Sequence, residues 1–63
     1  MPTIRVEMFE GRTIEQKREM VEVFTREMAR IAKIAPDSIQ IQFDEYRRDN
    51  WAVGGTLYAD KTK

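Results

Sequence analysis

Apolar and polar residues alternate from Thr3 to Phe9, with Ile4, Val6 and Met8 on one side and Pro2 sharing their parity. A period of two predicts a half-buried strand. Glu10-Gly11-Arg12 then turns the chain. From Ile14 the period changes. Ile14, Val21, Phe24, Met28 and Ile31, joined by Met20 and Ala32, follow helical spacing. They predict an amphipathic helix of about five turns. Thr13 with Gln16 makes a capping-box pattern, and Glu15 is acidic in the first turn. Arg30 and Lys33 suit the negative end of the helix dipole. Pro36 limits the helix, because the residue before a proline disfavours helical angles. Alternation returns over residues 39–46, with Ile39, Ile41 and Phe43 on the apolar side and Gln40 and Gln42 facing away. Residues 47–50 read as a polar loop. Residues 51–58 read as a short hairpin or extended arm, in which Gly54 and Gly55 allow unusual backbone angles. Residues 60–63 read as a loose tail.

Two strands separated by one helix pair in parallel through a right-handed crossover. The fold class is therefore α+β, a single domain over residues 1–63 with a C-terminal hairpin. So short a chain buries only roughly 60% of the surface that its unfolded form exposes. Small folds compensate with disulfides, metals or self-association. The chain has no cysteine and no histidine, which leaves self-association. A two-stranded sheet is marginal alone. Two units side by side would give a four-stranded sheet with two helices on one face, and the other face points to assembly beyond the dimer. Eleven basic and eleven acidic residues cancel, which argues against a nucleic-acid or anionic-membrane partner. The sequence has no apolar run of membrane-spanning length and no visible signal peptide, and the absence of cysteine fits the cytoplasm.

Without histidine or cysteine, the usual groups for proton transfer at neutral pH are missing. If Met1 is removed, Pro2 carries a secondary amine at the chain terminus. A terminal amine has a reference pKa of roughly 7.7–8.0. Desolvation or a nearby cation lowers that towards neutrality, where the amine is a competent general base. Proton transfer next to a carbonyl also needs a cation for the developing enolate and a water-poor pocket. Arg12 and Trp51 are candidates for these. Each has a plainer role available. Pro2 can simply begin a strand, Arg12 can be a solvated turn residue, and Trp51 can anchor a core or an interface. Arg47-Arg48 also reads as a solvated loop. Gly54-Gly55 does not lead from a strand into a helix, so it is no phosphate-binding loop.

Pro2 behind Met1, the run Glu10-Gly11-Arg12 with Glu15-Gln16-Lys17 after it, and Trp51 followed by Val53-Gly54-Gly55 together resemble the short form of the 4-oxalocrotonate tautomerase family. The resemblance covers essentially the whole chain without gaps. It implies a β-α-β tautomerase fold with a four-stranded sheet and two helices per dimer. It also implies a homohexamer, a trimer of dimers, whose sites draw on neighbouring subunits, with no cofactor and no metal. The implied activity is keto–enol tautomerisation of a small unsaturated carboxylate in aromatic hydrocarbon catabolism. By the resemblance, Pro2 shuttles the proton, Arg12 binds the far carboxylate, and Trp51 lines the pocket. The family's second arginine falls at Gln40, which donates a hydrogen bond but brings no charge. Arg47 or Arg48 is the candidate replacement cation. Two other readings stand beside this one. A same-fold dehalogenase, hydratase or decarboxylase needs an extra carboxylate, for which Glu7, Asp44, Glu45 and Asp49 are present. A non-catalytic oligomeric scaffold needs only the fold.

Overall fold

The computed structural model describes residues 2–61. The expected removal of Met1, and Thr62 and Lys63 of the expected tail, lie outside the described residues. Thr3–Phe9 form β1 and Gln40–Tyr46 form β2. They pair in parallel, from Thr3 opposite Gln40 to Phe9 opposite Tyr46. The ladder runs on at both ends: the Gln40 N–H donates to the Pro2 carbonyl at 3.0 Å, and the Glu10 N–H to the Tyr46 carbonyl at 2.9 Å. Helix α1, Ile14–Ala32, makes the crossover. The α+β class and the parallel pairing hold. β2 starts one residue later than the alternation suggests, because Ile39 closes a short 3-10 turn over Pro36–Ser38.

The capping box forms as expected. The Thr13 hydroxyl accepts from the Gln16 N–H at 3.1 Å, and Gln16 Oε1 accepts from the Thr13 N–H at 2.8 Å. The other end of α1 falls where the apolar stripe stops, at Ala32. Lys33 ends the helix before Pro36 is reached, by turning left-handed at φ 57°. Its N–H and that of Ile34 both reach the Ala29 carbonyl. Such an end favours glycine, and a side chain there costs about 1 kcal/mol. On the solvent side Arg30 donates to Glu27 at 2.7 Å. That bond, and then the charge of Arg30, hold the Glu27 carboxyl below its ordinary range.

Alternation and register place Ile4, Val6, Met8, Ile41, Phe43 and Glu45 on one side of the sheet. Lys17 of α1 meets that side. Its Nζ lies 2.6 Å from Glu45 and 6.0 Å from the centre of the Phe43 ring. The opposite side carries Arg5, Gln40, Gln42 and Asp44, with Arg5 and Asp44 paired at 3.3 Å. Gln40 and Gln42 therefore face away from the helix, as the pattern predicts.

No described residue is fully buried. Ile14, Phe24 and Ile31, which the helical spacing assigns to the inner stripe, are 55%, 36% and 68% exposed. The cause is geometric. Two strands less than about 5 Å apart cannot cover a helix roughly 28 Å long. The radius of gyration is 15.2 Å, against about 11 Å for a compact chain of this length. One chain holds part of a core. No described helix is long and apolar enough to cross a membrane.

Past β2, Arg48–Asn50 make one 3-10 turn. Strands β3 (Ala52–Val53) and β4 (Thr56–Leu57) then pair antiparallel. Gly54 and Gly55 join them with φ 61° and 87°. Positive φ at both positions is what a tight two-residue hairpin turn demands. Of the two possibilities for residues 51–58, the hairpin is the one that forms. The tail needs a correction. Tyr58–Asp60 form a 3-10 turn closed by the Lys61 N–H, and Lys61 Nζ sits 5.5 Å from the centre of the Tyr58 ring. Asp60 and Lys61 are thus held, not loose.

Candidate active site

Phe9 and Tyr46 end their strands side by side on the face away from α1. The hairpin brings Trp51 and Tyr58 onto them. Ring centres lie 5.8 Å apart for Phe9–Trp51, 5.2 Å for Tyr46–Trp51 and 4.9 Å for Phe9–Tyr58. The two tryptophan contacts are edge-to-face, an arrangement that the ring quadrupoles favour. The Arg48 guanidinium carbon stands 4.5 Å from the Phe9 centre. Beside this cluster opens a cleft of about 320 Å³, lined by Glu7, Glu10, Arg12, Arg48, Trp51 and Tyr58 among others. Gly11, with φ 125°, makes the turn that precedes Arg12. Arg12 also lines a groove of about 370 Å³ along α1, with Gln16, Met20, Val23 and Phe24. It stands where cleft and groove meet.

The structure therefore brings Arg12 and Trp51 together. It places Pro2 and Gln40 together as well, but at the opposite end of the sheet. There the Pro2 carbonyl accepts from the Gln40 N–H. The length of β1, seven residues, separates the two pairs by roughly 23 Å. The four candidate residues do not form one site within a single chain.

The loop arginines divide. Arg47 is paired with Asp49 at 2.7 Å, while Arg48 lines the cleft. The candidate carboxylates divide too. Asp44 is paired with Arg5, Glu45 with Lys17 and Asp49 with Arg47. Glu7 alone of the four lines the cleft. Sequence reasoning passed over Phe9, Tyr46, Tyr58 and Glu10 as site residues. The readable signal was the pair of aromatics, each ending a strand, that parallel pairing sets side by side. Among the described residues no cluster of three acids, histidines or cysteines could hold a metal ion.

A family model described as "Tautomerase enzyme" matches residues 2–61. The 2-hydroxymuconate tautomerase of Bacillus subtilis is 38% identical over 60 residues, which covers 95% of this chain and 97% of that one. The crystal structure of a 4-oxalocrotonate tautomerase homologue superposes with a TM-score of 0.90 at 36% identity, over 100% of both chains. A heterohexameric 4-oxalocrotonate tautomerase from Chloroflexus aurantiacus superposes with a TM-score of 0.84 at 28% identity, over 95% of this chain and 97% of that one. By length, strand pairing and match, this chain belongs to the tautomerase family of isomerase enzymes.

Proposed function

We propose that this enzyme is a cofactor-independent tautomerase that moves a proton within small unsaturated 2-oxo or 2-hydroxy acids. The terminal amine of Pro2, freed by loss of Met1, is the general base. Arg12 binds a substrate carboxylate and draws charge towards it as the enolate develops. Trp51 and its aromatic neighbours keep the pocket poor in water, which favours the neutral amine. Gln40 contributes a neutral hydrogen bond beside Pro2. The observation that carries this reading is the separation of the two residue pairs in a chain none of whose described residues is fully buried. A site made of Pro2 from one subunit and Arg12 with Trp51 from another meets both facts. Assembly would cover Phe24 and Ile31 and complete the site at once. A homohexamer fits the heterohexameric relative from Chloroflexus aurantiacus, and such an enzyme works in the cytoplasm on a carboxylate metabolite.

The test compares protein lacking Met1 with protein that retains it. In the retained form the Pro2 nitrogen is an amide and has no basic lone pair. Turnover of an enol acid should nearly vanish, and Pro2→Ala, which leaves a primary amine, should retain a fraction. Equal rates with and without Met1 would remove Pro2 as the base.

Glu7 supports a second reading. It lines the cleft with no described ion-pair partner, so it could activate water for hydration of an unsaturated acid. Hydration should then fall in Glu7→Gln while tautomerisation persists. Loss of both in parallel would rule this out.

A further inference from the structure

The cleft has a second cation, and we infer that Arg48 is the residue that selects dicarboxylates over monocarboxylates. This rests on the tautomerase reading only for the nature of the substrate, and the binding test below needs no turnover. Arg48 and Arg12 line the same cleft, and among the described residues neither forms an ion pair. Adjacent Arg47 differs, being occupied by Asp49 at 2.7 Å. Phe9 seats Arg48 through its ring face, 4.5 Å from the guanidinium carbon. That attraction uses the cation's charge and leaves its N–H fork open to a planar carboxylate. Phe9 is therefore a positioning residue.

The cleft is not simply basic. Glu7 and Glu10 also line it, and their charges cancel those of Arg12 and Arg48. Removing either arginine leaves these four positions at net −1. A monoacid needs one guanidinium, whereas a diacid needs both. Gln40 offers no charge at the opposite end of the sheet. The volume of about 320 Å³ is that of a small-ligand site.

Trp51 is the chain's one tryptophan and lines the cleft, so its fluorescence reports occupancy. The assembled protein is titrated with adipate and hexanoate, a diacid and a monoacid of equal carbon number. Wild type should hold adipate about tenfold more tightly. Arg48→Ala should abolish that ratio. Arg48→Lys should restore part of it, because an ammonium keeps the charge and loses the fork. Phe9→Leu should lower it by a smaller factor, and Arg47→Ala should leave it alone. If Arg48→Ala does not assemble, Arg48→Gln serves in its place and must lose the ratio. The inference is overturned by a wild type without diacid preference, by an Arg48 variant that keeps it, or by an equal loss in Arg47→Ala. If no enol is turned over at all, the tautomerase reading fails while the fluorescence ratio still decides the role of Arg48.

Discussion

The two ends of the parallel sheet are unlike. At the start, the Gln40 N–H donates to the Pro2 carbonyl. At the finish, three aromatic rings, two arginines and two glutamates line a cleft, with Tyr46 packed against Trp51. On the proposed reading, the first end holds the base. The second holds the cleft with Arg12 and Arg48. The difference teaches that the proposed base and the cleft lie a strand's length apart in one chain, so the proposed reaction needs a second subunit.

The sharpest way to break this comparison is to stop chains from meeting. Phe24→Asp puts a charge into the groove that α1 shares with Arg12. Because no described residue is buried in one chain, the separated chain should lose its fold as well as its activity. Circular dichroism and sedimentation at micromolar protein test this, and a folded monomer of 7.5 kDa would falsify it.

Subunit mixing sharpens the comparison directly. Arg12→Ala should lower turnover about ten- to a hundredfold, because a charge-assisted contact worth roughly 1.5–3 kcal/mol is lost. Refolding Arg12→Ala chains together with Pro2→Ala chains should return activity above either parent. In a random equal mixture, about a quarter of the sites would draw both native residues from different subunits. Activity no better than the mean of the parents would place both residues in one chain.

Smaller effects should leave the comparison standing. Glu45→Gln removes the partner of half-buried Lys17 and should cost about 1–2 kcal/mol, an amount between those of exposed and buried pairs. Chemical denaturation of the assembled protein measures it. Lys33→Gly should raise stability by about 0.5–1 kcal/mol with unchanged kinetics, since left-handed geometry suits glycine. The least effect belongs to Glu27. Arg30 holds its carboxyl down, so the pair stabilises the fold above the ordinary carboxylate range and loses that contribution as pH falls through the lowered value. Wild type and Glu27→Gln should therefore converge in stability on acidification. A gap that persists at low pH would mean that the side chain matters for some other reason.

Most of the fold was legible because it is written in short-range pattern. Alternation marked β1 and β2, the Thr13–Gln16 spacing marked the helix start, and paired glycines marked the hairpin turn. The end of α1 at Ala32 was legible in the apolar stripe, whereas the left-handed angle of Lys33 that makes it is announced by no local pattern. Asp60 and Lys61 differ from the expected tail because they follow Tyr58, which packs on a ring that arrives from β1, far away in sequence. The resemblance already implied sites shared between subunits, and the structure adds which candidates stand at which end of the sheet. That division depends on the parallel register, which sets Phe9 beside Tyr46 and Pro2 beside Gln40. Arg48 and Arg47 look alike in sequence and differ only in what stands next to each.

Arg12 touches both the groove along α1 and the cleft. If a neighbouring chain fills the groove, substrate affinity and subunit affinity become linked quantities. A ligand that binds only the assembled form adds about 2.7 kcal/mol per site at a hundred times its dissociation constant. By reciprocity, dilution that loosens the subunits must weaken the apparent grip on the ligand. Substrate would then act as an assembly factor, and the enzyme would be most durable in the cell while it has work to do. Sedimentation at limiting protein concentration, with and without adipate, measures that linkage, and identical dissociation profiles would show that the groove and the cleft are independent.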